Sequence, residues 1–152
     1  MAAQVWLLLV LLGTLLVVAL GWFLRSGDRV PAELAWWFCK SAALGLVGSF
    51  ALHESAHVLL LKQVGSVTHI AVVRTALRIS VIPVGAMTGW QTVRVALAGP
   101  GSCVVVGVVL WATELDPVLA WWYLPHGLLL LPFFGDGRSL ARGLREVRRR
   151  AS

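Results

Sequence analysis

Leu52-His53-Glu54-Ser55-Ala56-His57-Val58-Leu59-Leu60 sets two histidines and a glutamate inside an apolar run. On a helix, side chains four residues apart stand one above the other on the same side. His53 and His57 can therefore hold one Zn2+ between them, each through a neutral ring nitrogen. Glu54, one residue after the first ligand, is turned roughly 100° around the helix. It can lie beside the ion without ligating it and take a proton from the water the ion activates. Three fixed positions make a weak pattern in a soluble chain. In hydrocarbon the same residues are costly, and ionisable groups at membrane depth mark functional sites.

Composition makes hydrocarbon the expected surroundings. Of the 152 residues, 59% are hydrophobic, against about 45–50% apolar in an ordinary globular domain. Mean hydropathy is +0.83. An integral membrane protein of one domain follows. The net charge is +6, and six of the thirteen basic residues are arginines between Arg138 and Arg150. A basic tail (residues 138–152) on the cytoplasmic side accounts for them by the positive-inside rule. Nucleic-acid binding would need interleaved aromatics or a recognisable module, and the tail has neither. Cys39 and Cys103 lie in apolar segments with no Cys-x-x-Cys partner, which argues for small buried hydrophobes over a zinc knuckle or redox pair.

Four spans are expected. Residues 1–24 carry no charge and are long enough to cross a bilayer. A cleaved signal peptide would begin with basic residues and have a shorter apolar core. The second span covers residues 34–62 and holds the His-Glu-x-x-His stretch, with Trp36 and Trp37 suited to an interface near its start. Ser41, Gly45 and Ser49 precede the histidines at steps of four, a row of small residues that lets a neighbouring helix approach. Residues 67–73 and 77–84 are rich in β-branched side chains and read as a membrane-associated hairpin. His69, within it, reads as a solvated loop residue. The third span, 95–113, contains Ala98-Gly99-Pro100-Gly101, glycines and a proline that loosen a helix where a neighbour re-satisfies the backbone. The fourth, 118–135, is broken at Pro132, and a short basic helix opens at Ser139.

A catalytic zinc needs a third protein ligand. Asp136 follows the 18 uncharged residues of the fourth span and sits between two glycines near its cytoplasmic end, at the depth of His53 and His57. His126 is the rival. It lies ten residues earlier, about 15 Å deeper along a straight helix, and is expected to be a core or secondary-pocket residue. Charge bookkeeping puts both termini and the 62–94 segment in the cytoplasm. That segment carries Lys62, Arg74, Arg78 and Arg94 and no acid, whereas four of the six charges in the two external turns are acidic.

In this order of motifs the chain resembles the site-2 protease family of intramembrane zinc metalloproteases. The resemblance covers residues 34–144. After the His-Glu-x-x-His helix, Leu77-Arg78-Ile79-Ser80-Val81-Ile82-Pro83-Val84-Gly85 is similar to the family's strand-rich segment. Ala96-Leu97-Ala98-Gly99-Pro100 is similar to its Ala-Gly-Pro span, and Leu131-Pro132-Phe133-Phe134-Gly135-Asp136-Gly137-Arg138 to its Leu-Asp-Gly loop. The resemblance implies His53, His57 and Asp136 as zinc ligands and Glu54 as catalytic acid/base. It implies a multi-pass cell-membrane endopeptidase, all-α with four transmembrane helices and a small hairpin, that cleaves membrane-embedded segments of substrate proteins. The family's Asn and second Pro ahead of the aspartate are missing, and no Asn occurs anywhere in this chain. With neither a PDZ nor a nucleotide-binding domain, control is expected from a membrane partner or from self-association. The competing expectations are a zinc-binding scaffold without proteolysis and a metal transporter. Glu54 argues against the first, and the gathering of polar residues at one depth argues against the second.

Overall fold

A computed structural model describes residues 2–74 and 79–151, with side chains described from residue 6 and not between 72 and 82. The chain is mostly helical with one two-stranded antiparallel sheet. It divides into two compact units, Met1–Gly48 and Ser49–Ser152.

The first unit is built on a helical hairpin. Helix α1 (Ala2–Ser26) ends where Gly27 takes φ 76° and its N–H donates to the Phe23 carbonyl over 2.8 Å. A left-handed residue is the usual helix stop, and glycine adopts it without a Cβ clash. Asp28 Oδ1 then accepts from Val30 N at 3.1 Å, and Pro31 sits in the first turn of α2 (Val30–Lys40), where its missing N–H is not needed. Cys39 Sγ donates back to the Leu12 carbonyl at 3.2 Å. Ser41–Val47 continues the helix as a π-helical segment. Wide turns of this kind are rare and have no signature in a 3.6-residue pattern.

The second unit begins one residue into α3 (Gly48–Lys62). Ser49, His53, His57 and Leu61, at steps of four, are its buried residues. Strand β1 (Val67–Arg74) pairs with β2 (Ile79–Gly85) in the register Arg74↔Ile79 to Val67↔Gly85, with a bulge between Val67 and His69. The hairpin expectation holds. Its turn, and the expected strand start at Leu77 and Arg78, lie outside the described residues. Gly85 has φ 141°, and a Cβ there would collide with the Ser66 carbonyl, so the strand closes only with glycine.

Helix α4 (Gly89–Ala112) starts six residues earlier than the expected third span. Thr88 and Gln91 form a reciprocal capping box, Gln91 N to Thr88 Oγ1 at 3.3 Å and Thr88 N to Gln91 Oε1 at 2.8 Å. The helix runs unbroken through Pro100, which is fully buried. Asp116 caps α5 (Pro117–Tyr123) by accepting from Leu119 N at 3.0 Å. Leu124–Leu130 is a 3-10 segment, the chain turns at Leu131, and α6 (Gly135–Ala151) carries the arginines. Helix α6 therefore opens four residues ahead of the expected start at Ser139, and Asp136 lies in its first turn rather than in a loop.

Among the described residues, three helical stretches are long and apolar enough to cross a membrane: Trp6–Ser26, Val30–Lys62 and Gly89–Ala112. Pro117–Leu130 and Gly135–Ala151 pass the same test together but bend by 42° at the break, giving a fourth span only if the pair counts as one. Large apolar side chains lie exposed along these stretches, among them Trp6, Val17 and Leu24 on α1 and Val105 and Val108 on α4. An exposed apolar surface of this extent fits contact with lipid, as a multi-pass membrane protein requires.

Candidate metal centre

Helix α3 aims His53 and His57 at α4, and the two helices meet antiparallel. Cys103 Sγ donates to the Ser49 carbonyl at 3.2 Å, while two turns along α3 the His57 ring lies against Val95 and Gly99. His57 Nδ1 is 2.7 Å from the Val95 carbonyl oxygen. A carbonyl only accepts, so Nδ1 carries the proton and Nε2 of the neutral ring presents a lone pair. This is the outer hydrogen bond that metal-binding histidines typically make, and it fixes both tautomer and ring orientation.

Gly99 supplies the space for that ring. A Cβ at this position would overlap His57 Nε2 and stand 2.8–2.9 Å from the neighbouring ring carbons. Ala98-Gly99-Pro100, expected only to loosen the span, thus seats an imidazole directly on the helix backbone. Gly137 does the corresponding work for the third residue. A Cβ there would collide with the carbonyls of Leu130 and Leu131. Its absence lets the first turn of α6 fold back tightly enough to present Asp136. Lower on the same helix, Gly143 faces Gly89, and a Cβ on either would come within 2.7–2.8 Å of the other's carbonyl oxygen.

Three ligand side chains converge. His53 Nε2 and His57 Nε2 are 3.1 Å apart, Asp136 Oδ2 is 3.1 Å from His53 Nε2, and Asp136 Oδ1 is 3.4 Å from His57 Nε2. A tetrahedral ion with bonds of about 2.0 Å holds its ligands about 3.3 Å apart, so the edges of this triangle fit one. The chemistry of the donors agrees. Without a cation, a carboxylate and two imidazole nitrogens would crowd their lone pairs together, and only protons could relieve them. Both histidines are buried and the Asp136 side chain is 24% exposed, so one side of the triangle remains accessible. His53, His57 and Asp136 are thus brought together as expected. Glu54 is half-buried on the adjoining position of α3 and belongs to neither metal-ligand group among the described residues.

His126 departs from its expected place. Its ring centroid is 5.5 Å from that of His53 and 5.1 Å from that of Phe50. It is therefore within about one helical turn of the triangle instead of the 15 Å given by a straight α-helix. The turn at Leu131–Phe134 and the 42° bend into α6 interrupt the helix between His126 and Asp136. Cys103 joins His53 and His126 in a second group of ligand atoms within 4.8 Å of one another. The reading of Cys103 as a plain hydrophobe missed this. The available signal was the step-four row Val95, Gly99, Cys103 on the face of α4 that meets the histidines. His69 is exposed on β1 and belongs to neither group.

Comparison of the chain with models of known protein families, with characterised proteins and with solved structures finds no match.

Proposed function

We propose that the chain is a zinc-dependent intramembrane endopeptidase of the site-2 protease type, with four spans and both termini in the cytoplasm. The observation that carries this reading is the His53–His57–Asp136 triangle with Glu54 beside it and outside the ligand set. A closed structural site fills its four positions with His and Cys and has no use for such a carboxylate. When bound, the ion supplies Lewis-acid chemistry, polarising the scissile carbonyl and making water acidic enough to attack near neutral pH. His53 and His57 hold that ion through Nε2, with the Val95 carbonyl orienting the second ring. Glu54 accepts a proton from the attacking water and passes it to the leaving amine. A substrate helix must unwind to expose its carbonyl, and an extended segment can pair with an edge of the β1–β2 hairpin.

Glu54→Gln keeps the shape of the side chain and removes proton acceptance. Purified in detergent, it should retain wild-type zinc while cleavage of a model transmembrane substrate falls by about 10²–10⁴-fold. Undiminished cleavage would overturn the enzymatic reading. Zinc binding with no cleavage by the wild type either would leave a metal-binding scaffold. Orientation has its own test. Cysteines introduced at Ser66 and Ala151, both exposed positions, should both react with impermeant reagent from the cytoplasmic side. Labelling from opposite sides would mean that the bent α5–α6 pair is not one span.

A further inference from the structure

The second group of ligand atoms is not used by the proposed peptidase chemistry. Its members come from three elements: His53 from α3, Cys103 from α4 and His126 from the 3-10 segment. All three side chains are buried, with residue exposures of 4%, 0% and 6%. Two of their polar atoms, His53 Nδ1 and His126 Nε2, are buried without a hydrogen-bond partner. Buried polar atoms are paired in the great majority of proteins, and an exception calls for an explanation such as an ion. With no partner on the protein, His126 Nε2 is open to act as a lone-pair donor to a cation. His53 behaves alike when the triangle holds no metal. Its Nε2 is 3.1 Å from a carboxylate oxygen that only accepts, so the ring proton sits on Nε2 and Nδ1 is bare.

We propose that His53 Nδ1, Cys103 Sγ and His126 Nε2 form a second metal site, selective for a thiophilic cation, that competes with the triangle for the His53 ring. One sulfur and two imidazole nitrogens suit soft ions such as Cu(I) or Cd2+ and disfavour Mg2+ or Ca2+. Binding exchanges the Cys103 thiol proton for the metal, with one proton released to solvent for each ion bound. A neutral imidazole offers one lone pair. An ion on Nδ1 therefore keeps the proton on Nε2 and denies that atom to the triangle, while an ion in the triangle moves the proton to Nδ1. The second site stands on its own residues, and only the competition rests on the triangle's holding a metal.

Cadmium tests this in the full-length protein carrying Cys39→Ser, so that Cys103 is the one remaining thiol. Titration with Cd2+ should raise a thiolate-to-cadmium ultraviolet band that persists in Asp136→Asn and vanishes in Cys103→Ser. His126→Gln should weaken the band's midpoint by more than about tenfold, the scale on which losing even an outer partner of a metal ligand is felt. Zinc uptake should fall as cadmium saturates and should recover in Cys103→Ser. Absence of the band in Asp136→Asn, or its survival in Cys103→Ser, would overturn the second site. Simultaneous full occupancy by both metals would overturn the competition. Zinc held normally by Asp136→Asn would instead count against the triangle, leaving the band to decide this proposal.

Discussion

Gly99→Ala should abolish the zinc binding and proteolysis proposed here, although the substitution adds one methyl group and removes no ligand. The new Cβ would overlap His57 Nε2, the atom that points at Asp136 and His53. The ring cannot slide aside freely, because its Nδ1 is held by the Val95 carbonyl one turn earlier on the same helix. Either that hydrogen bond breaks or α3 moves away from α4. Overpacking of a buried contact costs about 1–3 kcal/mol, and metal sites tolerate displacements of only about 0.5 Å. Zinc affinity should fall by about a hundredfold or more, read by metal analysis after dialysis against a weak chelator. Gly101→Ala is the control, since nothing lies within 4 Å of a Cβ there. Equal zinc content in the two variants would mean that His57 does not bind metal in the seat described.

Asp136→Ala should lower zinc occupancy as severely, while His126→Ala should leave it close to wild type. The carboxylate spans both imidazoles, one oxygen to each ring. Its removal leaves two ligands on one helix, too few for a catalytic zinc. The loss should exceed the 10–100-fold typical of removing a partner outside the ligand set. His126 touches the same His53 ring from another side but contributes no atom to the triangle. The reverse outcome, with zinc lost from His126→Ala and kept by Asp136→Ala, would move the principal site to the Cys103 group.

What was legible in the sequence was local. Two histidines four apart on a helix face the same way whatever surrounds them, and the β-branched runs formed the hairpin expected. The triangle's third member was legible only beside the two histidines, because an aspartate between glycines serves equally as a loop residue or a helix cap. What the sequence concealed was tertiary or belonged to the backbone. The Val95 carbonyl that orients His57 has no letter of its own. Gly99 looked like a helix loosener because nothing local says that a ring from another helix will occupy its missing Cβ. The depth of His126 was misjudged by assuming an uninterrupted α-helix from it to Asp136, whereas the chain turns at Leu131–Phe134 between them. The π-helical segment at Ser41–Val47 had no visible cause in a run of small and apolar residues, and none is evident in the structure.

The two histidines of the triangle, and what joins them, also bear on stability. Asp136 reaches them from the first turn of α6, a helix otherwise seated on α4 at a glycine pair, Gly89 and Gly143. An ion shared between α3 and α6 would therefore be a cross-link as well as the reagent proposed above. Whatever binds the folded arrangement and not the unfolded chain adds its binding free energy to folding. By the same linkage, every contact that seats α6 on α4 raises the affinity for the ion. The arginine-rich helix and the metal are then two ends of one equilibrium.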